Sequence, residues 1–179
     1  MLIGQAQQEM RFAFLGGFAG QLVSSILWAL SAAVGTWGQP RHGMLVLFFG
    51  SMLIFPLTQL LLRLLGRPGA VSPANELNSL ARQIAFTVPI NFLLVGAAVL
   101  YRETWFFPAA MIAVGAHYLP FIFLYGMRMF GVLAALMAGG GFLLGLYGPA
   151  IFSLGGWITA GLLVIFAFTG RALVLREQT

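Results

Sequence analysis

The 179 residues are 60% hydrophobic and only 7% charged, against about 25% charged in an ordinary soluble domain, so lipid must solvate most of the surface. The net charge of +5 comes from nine arginines and four glutamates, and the chain has no lysine, aspartate or cysteine. Disulfides, thiolate nucleophiles, cysteine metal sites and lysine Schiff bases are thereby excluded, and the scattered single arginines read as interfacial anchors rather than a nucleic-acid surface.

Apolar runs of about 20 residues recur without strand-like alternation. The expected fold class is therefore all-α, a polytopic transmembrane helix bundle of six spans in one domain covering 1–179, with membrane lipid around it. Residues 1–10 are polar and carry no basic residue before Arg11, and the apolar run that follows is longer than a signal-peptide core, so a retained N-terminus is expected. The first span is placed at 12–34 and closes on turn formers and Trp37. The second, 44–65, contains Pro56. The one substantial connection, 66–76, ends in a helix start: Ser72 before Pro73 combines a capping hydroxyl with proline at the first helical position. The third span is placed at 80–101, the fourth at 106–127 with Pro120 inside, the fifth at 129–146 with the glycine run 139–141, and the sixth at 150–169. Short loops lead us to expect sequence neighbours as antiparallel neighbours in space.

Arg11, Arg63, Arg67, Arg82, Arg128, Arg171 and Arg176 fall on one side of this arrangement, and only Arg41 and Arg102 on the other. The excess of positive charge places both termini in the cytoplasm. The halves show no repeat of the kind that inverted-repeat transporters carry.

Polar side chains recur at helical spacing inside the spans. Gln21, Ser24, Ser25, Trp28 and Ser31 share a face of the first, Gln59 and Arg63 lie a turn apart in the second, and Gln83, Thr87 and Asn91 form a stripe in the third. In the fourth, His117, Phe121 and Tyr125 are spaced alike, with Tyr118 beside them. Groups that need hydrogen-bond partners in hydrocarbon turn inward, so a polar pocket among the first four spans is expected, lined by His117, Tyr118, Asn91, Gln21, Gln59, Ser24, Thr87 and Tyr125. The same side chains also suit plain helix-to-helix hydrogen bonding. Pro56, Pro89 and Pro120 free the carbonyls of Met52, Ala85 and Ala116, which suits either a solute site or static kinks.

His117 reads as a packing residue bonded to Asn91 or Gln21, or as a pH-responsive pocket group. No second buried ligand exists for a metal or haem and no acid to orient a Ser–His pair, so no cofactor, metal or catalytic residue is expected. Small-residue pairs, Gly16 with Gly20, Ala135 with Gly139, Gly141 with Gly145 and Gly156 with Ala160, mark helix contacts, those of the last two spans within the bundle or in a homodimer.

Three stretches together resemble a family of bacterial six-span inner-membrane proteins grouped as a domain of unknown function: Gly16-Gly17-Phe18-Ala19-Gly20-Gln21, then Phe55-Pro56-Leu57-Thr58-Gln59-Leu60-Leu61-Leu62-Arg63, and Gly115-Ala116-His117-Tyr118-Leu119-Pro120-Phe121. The resemblance covers most of the first four spans and implies a place in the bacterial inner membrane, with no chemistry attached. The expected function is a small transporter, channel-like or solute-binding protein for a neutral or weakly polar compound. The alternatives are a membrane-embedded interaction or assembly protein without a substrate, and an intramembrane enzyme acting on lipid, for which the intramembrane carboxylates are missing.

Overall fold

The structure, a computed structural model, describes residues 1–177. Among these every regular element is helical: α1 (Ile3–Phe14), α2 (Phe18–Trp37), α3 (Pro40–Ser51), α4 (Ile54–Leu64), α5 (Leu77–Tyr101), α6 (Phe106–Tyr118), α7 (Phe121–Tyr125), α8 (Met129–Tyr147) and α9 (Leu154–Arg176), with single 3-10 turns at Leu15–Gly17 and Glu103–Trp105. Five helical paths are long and apolar enough to cross a membrane, and the bent pair α3–α4 makes a sixth if it acts as one span. The chain is thus a polytopic helical bundle. Its two ends are distinguishable: a terminal end carrying both termini and the 66–76 connection, and an opposite end where Trp37 and Trp157 meet at 5.9 Å between ring centroids.

Several boundaries differ from those expected. The polar N-terminal stretch is itself helical, because Ala6, Met10 and Ala13 recur at four and three residues and bury one face of α1. A turn then redirects the chain into α2 through three successive residues with positive φ, Leu15 (49°), Gly16 (61°) and Gly17 (82°). The second span is two helices bent by 59°, broken at Met52 and Leu53 just before Pro56, whose ring cannot continue the ladder. The fourth is likewise interrupted at Leu119 and Pro120; the Ala116 carbonyl that Pro120 leaves free is taken instead by the Leu119 N–H at 3.2 Å. The glycine run 139–141 leaves α8 continuous, and the last helix starts at Leu154 and runs on to Arg176, later at both ends than expected. Pro73 does not start α5. Ser72 is engaged elsewhere, and the side-chain oxygen of Asn75 accepts the Leu77 N–H at 3.1 Å where α5 begins.

Packing departs from simple neighbour order. The tightest pairings are α6 with α8, α2 with α9 and α2 with α3, so the first and last long helices lie side by side. Between helices in lipid, close packing replaces the hydrophobic drive as the source of attraction. Gly141 illustrates it: a Cβ there would stand 2.6 Å from the Pro108 carbonyl oxygen, so only glycine lets α8 approach α6 this closely. The core around this seam holds Phe107, Met111, Phe130, Leu133 and Met137, all fully buried. By contrast α4 and α5, though consecutive, are not among the closely packed pairs; the α3–α4 limb leans mainly on α2 and α5 mainly on α6, with Phe48 of α3 meeting Phe92 of α5 at 6.2 Å. That separation creates the site described next.

At the terminal end α1 works as a tie. The Ser72 N–H donates to Glu9 Oε1 at 2.7 Å, and Asn75 Nδ2 donates to Glu9 Oε2 at 2.8 Å and to the Ala6 carbonyl at 3.0 Å. Arg11 Nη1 donates to the Tyr125 carbonyl at 2.7 Å, and its Nε pairs with Glu177 at 2.8 Å, joining the two ends of the chain.

Candidate functional site

A cavity of about 490 Å³ lies between α2, α3, α4, α5 and α6, the helices that form the first four spans. Small-molecule sites commonly enclose roughly 300–1,000 Å³. Ser24 and Trp28 contribute from α2, Leu47, Phe48 and Ser51 from α3, Thr58 from α4, Val88, Pro89 and Phe92 from α5, and Val114, His117 and Tyr118 from α6. No charged side chain lines it.

Thr58, His117 and Tyr118 stand towards the terminal end, with Ser24 and Ser51 nearer the middle. Thr58 lies beside Gly20 near the start of α2, and Tyr118 stacks on Phe130, which itself touches Gly17. The opposite half is walled by Trp28, Leu47, Phe48 and Phe92, with the last two rings 6.2 Å apart. Thr58 lines the cavity, but its Oγ1 is buried against Gly20 of α2, closed off from the cavity and without a hydrogen-bond partner among the described residues. The hydroxyls of Ser24 and Tyr118 make no hydrogen bond among the described residues and are not closed off in this way. Cavity-wall hydroxyls that no protein group engages favour a ligand that hydrogen-bonds to them, each bond being worth about 1 kcal/mol.

His117 is fixed by α5. Its Nδ1 lies 3.1 Å from the Ile84 carbonyl oxygen and 3.3 Å from Thr87 Oγ1, while the Thr87 hydroxyl itself donates to Ile84 at 2.7 Å. A carbonyl can only accept, so Nδ1 carries the proton in that bond and Nε2 is left uncommitted. The ring also packs against Phe121 at 5.0 Å, which holds its plane.

Of the residues expected in a pocket, Ser24, His117 and Tyr118 line this cavity and the other five do not. Gln59 points to the connection, where Nε2 donates to the Gly69 carbonyl at 3.1 Å. Thr87 is exposed, with its hydroxyl beside His117 Nδ1. Asn91 is half-buried on the α5 face shared with Ile84 and Val95, outside the lining, and is not the partner of His117. Tyr125 is buried against Phe130 at 5.2 Å. Gln21 is only 2% exposed, with both amide atoms unpaired among the described residues, and stands apart from the cavity.

Of the polar residues in the second span, Ser51, Thr58, Gln59 and Arg63, sequence reasoning chose Gln59 for the pocket rather than Thr58, and apart from Trp28 it missed the aromatic wall. Thr58 sits next to Gln59, and the signal that separates them is the bend at Met52 and Leu53, which sets the rotation of α4 and is not encoded in residue spacing.

The model of a family described as Family of unknown function (DUF7010) matches residues 3–172, nearly the whole chain. The chain belongs to this family. No curated protein and no solved structure matches it. In this DUF7010 chain the match takes in every helix that lines the cavity, from α2 to α6.

Proposed function

We propose that the protein is a multi-pass protein of the bacterial inner membrane that binds a neutral or weakly polar compound in the cavity between the first four spans and carries it through the membrane. The observation that supports this most is the combination in one cavity of an uncharged lining with the hydroxyls of Ser24 and Tyr118, which no protein group engages. An ionic solute would find no counter-charge there and would lose most of its hydration without compensation. An uncharged compound with one or two hydrogen-bonding groups meets Ser24, Tyr118 and Nε2 of His117. Both termini face the cytoplasm in this reading, in keeping with seven arginines at the terminal end and Arg41 and Arg102 at the other. An alkaline phosphatase fused to the C-terminus is then inactive, and an active fusion would reverse the orientation.

Native mass spectrometry of the protein purified in lipid nanodiscs tests the binding. The wild type is expected to retain an uncharged organic molecule. Tyr118→Phe, which removes only a hydroxyl without a protein partner, should weaken retention about fivefold, one hydrogen bond being worth about 1 kcal/mol, with no loss of thermal stability. Equal retention in Tyr118→Phe and in His117→Ala would remove this cavity from the function. Variants that changed stability alone would point to a membrane-embedded interaction protein.

A further inference from the structure

The rim of the cavity is formed by side chains that belong at once to its lining and to the outer surface of the bundle. Met52 and Phe55 on one flank are 64% and 73% exposed, and Leu93 on the other is 75% exposed, yet all three line the cavity. A residue can do both only where the cavity opens. The opening is between α4 and α5, at the height of the apolar spans, and so faces hydrocarbon rather than water. Both flanking helices are weakened there, α4 by the break at Met52 and Leu53 with Pro56 after it, α5 by Pro89. Their near ends are held, since the connection between them is bonded to Glu9 through Ser72 and Asn75 and to α4 through Gln59.

We infer that this protein takes its ligand sideways from the bilayer, between α4 and α5, and that the ligand is an uncharged single-chain amphiphile. Its polar head lies against His117 and Tyr118, and its chain lies against Trp28, Leu47, Phe48 and Phe92. The inference rests on the solute-binding reading of the same cavity and adds the route and the ligand class. The polarity gradient along the cavity sets the orientation of the ligand, and the absence of charge excludes fatty-acid carboxylates and phosphate headgroups. A volume of about 490 Å³ suits one chain.

The chain has no cysteine, so thiols can be introduced singly. Phe55→Cys and Leu93→Cys together place one thiol on each side of the opening, at exposed positions where the fold makes little demand on the side chain. The probe is a long-chain alcohol bearing a photoreactive diazirine, added to the protein in phosphatidylcholine vesicles, with and without bridging of the thiols by a bifunctional maleimide. The readout is labelling at Trp28, which is buried in the bundle, relative to labelling at Leu94, which is on the lipid-facing surface. Labelling of Trp28 is expected in the unbridged protein and should be lost on bridging, with Leu94 unchanged. Labelling of Trp28 that survives bridging would overturn the lateral route while leaving the cavity a binding site. No labelling of Trp28 in the unbridged protein would overturn the inference, and retention of another uncharged molecule in the nanodisc measurement would then show that the solute-binding reading stands without it.

Discussion

Glu9 holds the connection before α5 with both carboxylate oxygens, and its titration should be visible in the stability of the whole chain. The Ser72 N–H and then Asn75 Nδ2 keep its carboxyl below the usual value of 4.5, against the opposing effect of burial. A carboxylate whose folded value is depressed contributes stability that is fully present above the unfolded value and is lost as pH falls through the folded one. Thermal unfolding followed from about pH 7 to about pH 3 should therefore show the wild type losing more stability in acid than Glu9→Gln, whose curve lies lower at neutral pH; parallel curves would contradict the tie. The residue scale is also where the sequence was least legible. His117 stood out as the one histidine deep in an apolar run, but its partners, Ile84 and Thr87, are set by how α5 leans on α6. Gln59 and Tyr125 sit at the right helical spacing for a pocket and are turned elsewhere by the loop and by the Phe130 cluster.

Helix breaks organise the next scale. The positive φ values at Leu15, Gly16 and Gly17 swing α1 under the bundle so that Glu9 and Arg11 reach their partners. Gly16 is the demanding position, because a Cβ there would stand 2.9 Å from Val174 Cγ2 and 3.1 Å from the Gly170 carbonyl oxygen. Gly66 has a similar φ of +67° but nothing within 4 Å of a Cβ. Both alanine variants carry the left-handed backbone penalty of about 1–2 kcal/mol, and only Gly16→Ala adds the collision with α9. Gly16→Ala should therefore lower the unfolding temperature in detergent clearly more than Gly66→Ala, and equal losses would mean that α9 gives way freely. Prolines made the break in the second span and the interruption at Leu119 and Pro120 foreseeable from sequence. The helicity of the first ten residues was also encoded, in the spacing of Ala6, Met10 and Ala13, but a short polar stretch beside a long apolar one hides it.

At the scale of the whole molecule, the apolar runs separated by turn formers were enough to read a polytopic helical bundle, and the number of crossings depends only on whether the bent α3–α4 pair counts as one. Which helices touch was not readable, because short loops favour neighbour pairing while the actual pairings of α2 with α9 and α6 with α8 are decided by small residues such as Gly141 that permit close approach. The cavity is a consequence of that arrangement: α2 and α6 are both committed to the tightly packed side, and the α3–α4 limb and α5 lean mainly on them, meeting each other at Phe48 and Phe92. A bundle packed for structure alone would be expected to close such a gap, since an empty cavity forfeits dispersion contacts along its whole lining. An experimentally determined structure in lipid nanodiscs at a resolution that shows side chains tests this most directly. A solute-binding protein shows elongated density between α2 and α6, with one end within hydrogen-bonding distance of His117 or Tyr118. A bundle in which α4 and α5 meet and these side chains pack against protein alone would contradict it.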